Sequence, residues 1–152
     1  MNIEIRHYKD ADLEDLLVAW EKASRVAHSF MDDAFFDQER QNIPNLYLPN
    51  ADTWVVCANH KVIGFIALIG SEVGGFFVDP DHHGKGAGKM LMDKAQHLHG
   101  DLVLDVFKEN ALGRRFYDRY GFEFQEEKVW EPTGNLLLRL AFSPAQKKAE
   151  IN

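Results

Sequence analysis

The most informative stretch of the chain reads FVDPDHHGKGAGK at residues 77–89. A β-rich segment stops at Pro80, three alternating glycines follow, and a helical pattern then begins. Glycine lacks a Cβ, so the backbone can turn tightly and approach a ligand closely. The first amides of a helix have no intrahelical acceptor and lie at the positive end of its dipole. Gly84, Gly86 and Gly88 therefore predict a cradle for phosphate oxygens, with a plain strand-to-helix turn as the alternative.

Two familiar nucleotide-binding loops are excluded by residue identity. A mononucleotide P-loop needs Gly-Lys followed by a Ser or Thr that reaches magnesium, whereas Gly84-Lys85 is followed here by Gly86. A Rossmann fingerprint lies in the first βαβ unit of its fold, whereas about 75 residues precede this loop. Dinucleotide binding is therefore not expected.

The composition is typical of a chain that folds as one compact domain. It has 152 residues, of which 45% are hydrophobic and 27% are charged. We expect a single domain at residues 1–142 and a polar, flexible tail at residues 143–152. The net charge of −7 argues against nucleic acid as a partner and suits a cationic one.

The sequence carries no sign of a membrane or secretory destination. No stretch approaches the roughly 18 apolar residues of a membrane helix, and the N-terminus lacks a basic-then-apolar signal pattern. The lone Cys57 cannot form an internal disulfide, which indicates a reducing compartment. His82 and His83 are adjacent but lack Cys or carboxylates at ligand spacing, so no metal is expected. These features predict a cytoplasmic protein with no membrane partner.

The order of secondary structure predicts an α+β domain of about seven strands and four helices. Apolar or alternating β-branched runs predict strands, and apolar residues three and four apart predict helices. The predicted strands are 3–6, 53–58, 62–69, 72–78, 102–107, 122–130 and 136–142. The predicted helices run from a cap at Asp10 to Ala27, from Asp32 to Asn42 before Pro44, from the glycine loop to Gly100, and from a cap at Asn110 to Gly121.

Two motifs, one at the glycine loop and one in the last helix, carry a resemblance to a known family. The first reads VDP at residues 78–80 and HGKGAG at residues 83–88. The second comprises Asn110, Gly113, Phe116-Tyr117 and Gly121-Phe122. With both motifs in this order, residues 1–142 resemble the GNAT superfamily of acetyl-CoA-dependent N-acetyltransferases, and they look closest to small bacterial single-domain members of the YjaB type.

The resemblance implies a three-layer α/β/α GNAT fold. In that fold, the central sheet has seven mostly antiparallel strands, and strands four and five splay apart. Gly74-Gly75, in the fourth predicted strand, is consistent with such a distortion because paired glycines weaken a regular ladder. The resemblance also implies acetyl-CoA as the acetyl donor and no metal.

The resemblance assigns cofactor-binding roles to the fourth strand, the loop and the last helix. The backbone N–H of Phe76 would polarise the acetyl oxygen, and Val78 would pair with the pantetheine amides like an added strand. Asn110 would contact the pantetheine arm, serve as a helix cap, or do both. The loop would hold the pyrophosphate through its backbone amides. The loop residues are His83, Gly84, Lys85, Gly86, Ala87, Gly88 and Lys89.

Acetyl transfer to an amine needs a deprotonated nucleophile and a proton for the departing thiolate. An alkylamine with a pKa of about 10.4 is protonated at neutral pH, so a base or desolvation must expose its lone pair. Glu72, at the start of the fourth strand, is the candidate base by resemblance, and a solvated strand-end charge is the alternative. The resemblance implies that Tyr117 donates a proton or a hydrogen bond to the CoA sulfur, and aromatic packing is the alternative.

The acceptor site is expected between the first two helices and the last hairpin, again by resemblance. The candidates are His28, Ser29, Phe30 and Trp130, with an ordinary interhelical corner or core packing as the alternative. The acceptor would be a primary amine on a small molecule or a protein lysine, and the protein would be a monomer or a homodimer. The rival function is a CoA-binding module that has lost catalysis and senses acyl-CoA or binds a partner protein.

His83 stands where the family usually has Arg or Gln, so a neutral histidine lacks a charged donor toward the pyrophosphate. A hydrogen bond to a charged group is worth about 1.5–3 kcal/mol. We therefore expect His83→Arg to bind acetyl-CoA about tenfold more tightly than the parent, measured by isothermal titration calorimetry. No gain in affinity would contradict this interpretation of the loop.

Overall fold

The computed structural model describes residues 2–145 as a sheet flanked by helices. The strands are β1 (Ile3–His7), β2 (Asp52–Ala58), β3 (Lys61–Ile69), β4 (Glu72–Val78), β5 (Leu102–Phe107), β6 (Glu123–Val129) and β7 (Leu136–Phe142). The helices are α1 (Leu13–Ala27), α2 (Asp33–Asn42), α3 (Ala87–His99) and α4 (Ala111–Tyr120). Each predicted strand therefore agrees with the structure to within one residue at either end.

The strands form one seven-stranded sheet in the order β1-β2-β3-β4-β5-β7-β6. All neighbouring strands are antiparallel except β4 and β5. Helices α1 and α2 pack on one face of the sheet, and α3 and α4 pack on the other. The predicted α+β fold with three layers is confirmed.

The interior strand β3 shows how the sequence produces these layers. Residues 62–68 are buried without interruption, because helices cover both faces of the sheet at this strand. On one face Leu16 and Trp20, four residues apart in α1, join the core. On the other face Leu91 and Ala95 of α3 have the same spacing. Each large apolar side chain buried in this way contributes roughly 1.5–3 kcal/mol.

Strands β4 and β5 separate almost as soon as they meet. They pair only at Glu72↔Val103 and Val73↔Leu104. The register between β3 and β4 shifts at Gly74, which is the extra residue of a β-bulge. After the bulge β4 stays with β3, while β5 stays with β7 to its end. The predicted splay between strands four and five is confirmed.

The predicted N-cap of α1 was wrong, whereas α2 ends at Asn42 as predicted. Asp10 does not cap α1, because it lies within a short 3-10 turn, Asp10–Asp12. Asp12 stands at the N-cap position of α1 but makes no side-chain capping bond to that helix; its Oδ2 instead accepts the backbone N–H of Lys9, at the start of the 3-10 turn, at 2.8 Å. The Asp12 carboxylate also binds the guanidinium of Arg6 through two hydrogen bonds of 2.8 and 2.9 Å.

Pro44 does not end the helical segment that begins with α2. The chain continues from α2 into a π-helix, Ile43–Tyr47, and Pro44 lies in its first turn. Because Pro44 has no N–H, it leaves one carbonyl of α2 without an intrahelical donor, and the chain is locally wound as a π-helix at this position rather than ending. The π-helix brings Tyr47 to the same side of the molecule as the α2 residues described below.

Part of the chain lies outside this description. The predicted flexible tail covers residues 143–152, of which residues 146–152 lie outside the described residues. Between residues 2 and 145, no helix has the length and apolar character needed to cross a membrane. The same range holds no group of three or more His, Cys, Asp or Glu side chains placed to bind a metal ion.

Candidate active site

A cavity of about 450 Å³ opens where β4 and β5 separate. Residues 73–77 of β4 and 104–107 of β5 form its walls within the sheet. Tyr117 of α4 reaches it from one face, and His28, at the end of α1, reaches it from the other. The cavity therefore gives two ligands, one from each face of the sheet, access to the same gap.

The edge of β4 that faces the gap has no strand partner after Val73. Unpaired backbone N–H and C=O groups remain on this edge, and they need a ligand, water or side chain as a partner. Phe76, which the sequence assigns to the acetyl oxygen, lines the cavity on this edge. Val78, assigned to pantetheine, is buried at the end of the same strand.

The glycine loop has the backbone conformation that the sequence predicts. Gly84 and Gly86 have φ values of 81° and 84°, which glycine adopts without strain. Gly86 is the N-cap of α3, and its carbonyl accepts the N–H of Met90. The three residues that follow, Ala87 to Lys89, carry the first amides of the helix, so these amides can face an anion.

Glycine is needed at position 88 for a different reason, which is close packing. A Cβ at this position would lie 3.3 Å from ring atoms of both Phe116 and Phe76. Those two rings pack together with their centroids 5.0 Å apart. The glycine thus lets the first turn of α3 pack tightly beside the open edge of β4.

Two polar side chains of the glycine loop are engaged within the protein, and a third is exposed. The His83 Nε2 lies 2.9 Å from the carbonyl oxygen of Val78, and because the carbonyl can only accept, Nε2 donates. Lys89 forms an ion pair with Asp93 at 2.8 Å. Lys85 is exposed. In this conformation the His83 ring is therefore hydrogen-bonded to the carbonyl of Val78, the residue that the resemblance assigns to pantetheine.

Asn110 and Tyr117, the residues of the second motif, both line the cavity and are both buried. The Asn110 Oδ1 accepts the N–H of Gly113 at 2.9 Å and caps α4. A Cβ on Gly113 would lie 2.6 Å from the Asn110 Nδ2, so this glycine makes room for the cap.

The phenol of Tyr117 is held in its protonated form. Burial raises its pKa well above the ordinary value, because the phenolate would lose its hydration. Its ring packs near Phe76 and Phe122, with centroid distances of 6.1 and 5.6 Å. Its hydroxyl has no hydrogen-bond partner within residues 2–145, so it remains available to donate to a ligand.

The predicted acceptor residues meet through two aromatic rings that the sequence analysis missed. Phe107 lies 5.2 Å from the His28 ring, 5.7 Å from Phe30 and 5.3 Å from Trp130, measured between centroids. Phe35 lies 5.8 Å from Trp130. His28 and Trp130 line the cavity, whereas Phe30 contributes only ring contacts and Ser29 is exposed. The position of Phe107 at the end of a strand that precedes Asn110 was the available sequence signal.

Glu72 lies at the root of the splay and outside the cavity lining. Its two carboxylate oxygens accept hydrogen bonds of 2.6 and 3.0 Å from the guanidinium of Arg139 on β7. Arg139 also approaches Asp105 at 3.3 Å. The pair therefore joins β4, β5 and β7 at the last point where all three are adjacent, an arrangement that the sequence did not indicate.

A second carboxylate that the sequence analysis missed lies in the cavity itself. Glu39 of α2 and Tyr47 of the π-helix both line it. Burial raises the pKa of Glu39, and hydrogen bonds from Tyr47 and Asn42 partly oppose this effect. The surrounding sequence, DQERQN at residues 37–42, is typical of a solvated helix and gave no signal of this position.

Comparisons with known proteins agree with this geometry. The family described as Acetyltransferase (GNAT) domain matches residues 49–124. The peptidyl-lysine N-acetyltransferase YjaB of Salmonella typhimurium is 32% identical over 124 residues, which cover 81% of this chain and 85% of the relative.

Two solved structures share the fold. The apo solution structure of YjaB from Escherichia coli superimposes with a TM-score of 0.84 at 27% identity and covers 93% of this chain and 98% of its own. The PaiA N-acetyltransferase of Thermoplasma acidophilum, solved in complex with coenzyme A, gives a TM-score of 0.73 at 20% identity, with coverages of 91% and 98%. The chain belongs to the GNAT family of acetyltransferases, and the sequence-based prediction of an N-acetyltransferase is confirmed.

Proposed function

We propose that this enzyme transfers the acetyl group of acetyl-CoA directly to a primary amine within a ternary complex, with a protein lysine as the first acceptor to test. The observation that carries the proposal is the cavity between β4 and β5, which is lined from both faces of the sheet. Donor and acceptor can therefore meet in the gap without a covalent enzyme intermediate. The activity in the name of the Salmonella relative, peptidyl-lysine N-acetyltransferase, and the net charge of −7 favour a lysine side chain.

The donor side of the gap suits acetyl-CoA. The amides at the start of α3 and the left-handed glycines Gly84 and Gly86 would bind the pyrophosphate. The open edge of β4 would pair with the pantetheine amides at Val78, which requires the His83 ring to leave the Val78 carbonyl. Asn110 would contact the pantetheine arm while its Oδ1 caps α4.

The chemistry needs one bond made and one broken. The neutral amine attacks the thioester carbon while the N–H of Phe76 polarises the acetyl oxygen, and the C–S bond then breaks. The new amide nitrogen loses its proton, and the thiolate gains one. Because its pKa is raised, Tyr117 is a weaker acid than a thiol, so it stabilises the departing sulfur by a hydrogen bond rather than by full proton transfer.

The rival proposal is a CoA-binding module without catalysis. Both proposals use the same donor site, so binding of acetyl-CoA does not separate them. Amine-dependent release of free CoA thiol does, because only the enzyme consumes the thioester. The available hydroxyl of Tyr117 favours the enzyme.

Further parts of the proposal concern the setting of the enzyme. We place it in the cytoplasm, since Cys57 is a buried free cysteine, which suits a reducing compartment. A single domain at residues 1–142 and a monomer or homodimer remain predictions from the sequence.

Tyr117→Phe removes the hydroxyl and leaves the ring. We expect kcat for amine acetylation to fall about 10- to 100-fold, because one hydrogen bond to the developing thiolate is lost, while the Kd of acetyl-CoA stays within twofold. The measurement is thiol release in a coupled colorimetric assay, together with calorimetry.

The matched control for this variant is Tyr120→Phe on the same helix. The Tyr120 hydroxyl donates to Asp93 at 2.6 Å outside the cavity. We expect this variant to lose stability but to keep its kcat. Equal losses of kcat in the two variants would contradict the role of Tyr117.

The role of Glu72 can be tested through its partner. The general-base role stays a prediction, whereas the ion pair with Arg139 supports a positioning role at the root of the splay. Glu72→Gln and Arg139→Gln each break the pair, so we expect similar falls in kcat and losses of up to about 1 kcal/mol in the free energy of unfolding. Pre-steady-state kinetics and urea denaturation measure the two quantities. A loss of activity confined to Glu72→Gln, with a changed pH–rate profile, would instead support Glu72 as the general base.

His28 gives the cavity a neutral imidazole near its acceptor side. Burial lowers its pKa to about 4, and its Nδ1 lies 3.1 Å from the Ser24 Oγ. In the unfolded chain the pKa returns to about 6.5, so between these values the unfolded state binds more protons. This contribution to stability is therefore present above about pH 6.5 and is lost as pH falls toward 4.

His28→Phe should remove this part of the pH dependence. We expect the free energy of unfolding of the parent, relative to that of the variant, to fall by on the order of 1–2 kcal/mol between pH 7 and pH 4.5. Urea denaturation at several pH values measures it, and the comparison cancels groups common to both proteins. A difference that is constant with pH would show that His28 does not titrate as described.

A further inference from the structure

The cavity extends beyond the reaction gap to a region formed by α2 and the π-helix. We call this region the Glu39 arm, and its residues are Trp20, Glu39, Ile43, Tyr47 and Leu48. Trp20 and Ile43 belong to the core on the face of the sheet that α1 and α2 cover. The arm thus lies on the acceptor face, opposite the helices that hold the donor.

Glu39 has no cationic partner among residues 2–145. The nearby arginines are engaged elsewhere, since Arg40 pairs with Glu21, and Arg25 pairs with Glu21 and Asp33. The other carboxylate of the cavity lining, Asp105, pairs with Arg139 and with Lys128. Of the two carboxylates that line the cavity, Glu39 is therefore the one that has no ion pair with a cationic side chain among residues 2–145.

Glu39 is half-buried, and a carboxylate in such a place without a cationic partner is unfavourable, because the protein replaces its hydration only in part. The raised pKa of Glu39 reports the same penalty. A ligand cation in the arm would offset it by a direct ion pair, and the aromatic ring of Tyr47 would add a favourable face for that cation. The arm is thus complementary to a positive group on an otherwise apolar ligand.

The rings of Phe35, Phe107 and Trp130 connect the Glu39 arm to the gap between β4 and β5. Phe107 and Asn110 both line the cavity where β4 and β5 separate, so the Phe107 ring marks the gap. The Phe35 ring lies 6.4 Å from the Phe107 ring, and Glu39 follows Phe35 by one turn of α2. The Glu39 carboxylate is therefore on the order of 10 Å from the gap, across an apolar surface.

We propose that Glu39 binds a second cationic group of the acceptor, so that the enzyme prefers amines that carry another positive charge about 10 Å from the reacting nitrogen. The inference rests on the proposed function, since it names the acceptor class of that site. Two sources offer this chemistry: a free diamine, and a peptide with a basic side chain near the target lysine.

The decisive comparison uses two acceptors of equal length, 1,8-diaminooctane and n-octylamine, which differ in the second cation. For Glu39→Gln we expect kcat/KM with the diamine to fall about 10-fold or more, mainly through KM, while octylamine changes by less than about twofold. Glu14→Gln on α1 is the matched control, because Glu14 is exposed and lies outside the cavity lining. Equal effects of Glu39→Gln on both amines, or no effect on either, would overturn the proposal.

A second pair of acceptors distinguishes the two sources of the second cation, a free diamine and a basic peptide. One peptide carries arginine two residues from an acetylatable lysine, and the other carries citrulline at that position. A Glu39-dependent preference for the arginine peptide assigns the arm to protein substrates. A preference confined to the diamine assigns it to small molecules, and absence of both overturns the proposal.

Direct binding distinguishes failure of this inference from failure of the proposed function. Trp20 and Trp130 line the cavity, so their fluorescence reports entry of 1,8-diaminooctane without turnover. Diamine binding that Glu39→Gln weakens, with no thiol release in the parent from the diamine, octylamine or either peptide, would refute the proposed amine acetylation and keep the cation site. Diamine binding that is equal in parent and Glu39→Gln would refute the cation site whatever the activity. Far-ultraviolet circular dichroism confirms that the variants are folded.

Discussion

The separation of β4 from β5 is the constraint on which the site depends. A sheet is stabilised by completing its ladder, and here the ladder stops after two residue pairs. The extra residue at Gly74 turns β4 away while its other edge remains paired to β3. The result is a strand edge that needs hydrogen bonds, inside a cavity from which aromatic side chains exclude much of the water. A ligand with regularly spaced amides meets that need.

The glycines around this edge serve unlike purposes, although they look alike in sequence. Gly84 and Gly86 are required by their left-handed backbone, and a side chain there would meet no neighbour. Gly88 and Gly113 are required by close neighbours, the rings of Phe76 and Phe116 in one case and the amide of Asn110 in the other. A substitution at the first pair would strain the main chain, whereas one at the second pair would displace a side chain of the site.

The fold was largely predictable because its signals are local. Strand periodicity, helix caps and the two glycine motifs placed the sheet, the loop and the cavity residues Asn110 and Tyr117. What escaped prediction depends on contacts between distant parts of the chain. Arg139 meets Glu72 from 67 residues away, and Phe107 meets Phe35 across the gap. Glu39 acquires its environment only because the helical segment continues past Pro44 to Tyr47, where the sequence indicated a helix end.

The hydrogen bond from His83 to Val78 has a consequence for the protein before any ligand arrives. An exposed, unpaired strand edge is a template on which another chain can add a strand and begin to aggregate. The imidazole occupies a carbonyl at the end of this edge, and α4 covers the wall opposite it. The residue that departs from the family pattern thus leaves one fewer unpaired carbonyl on this edge until a ligand displaces the ring.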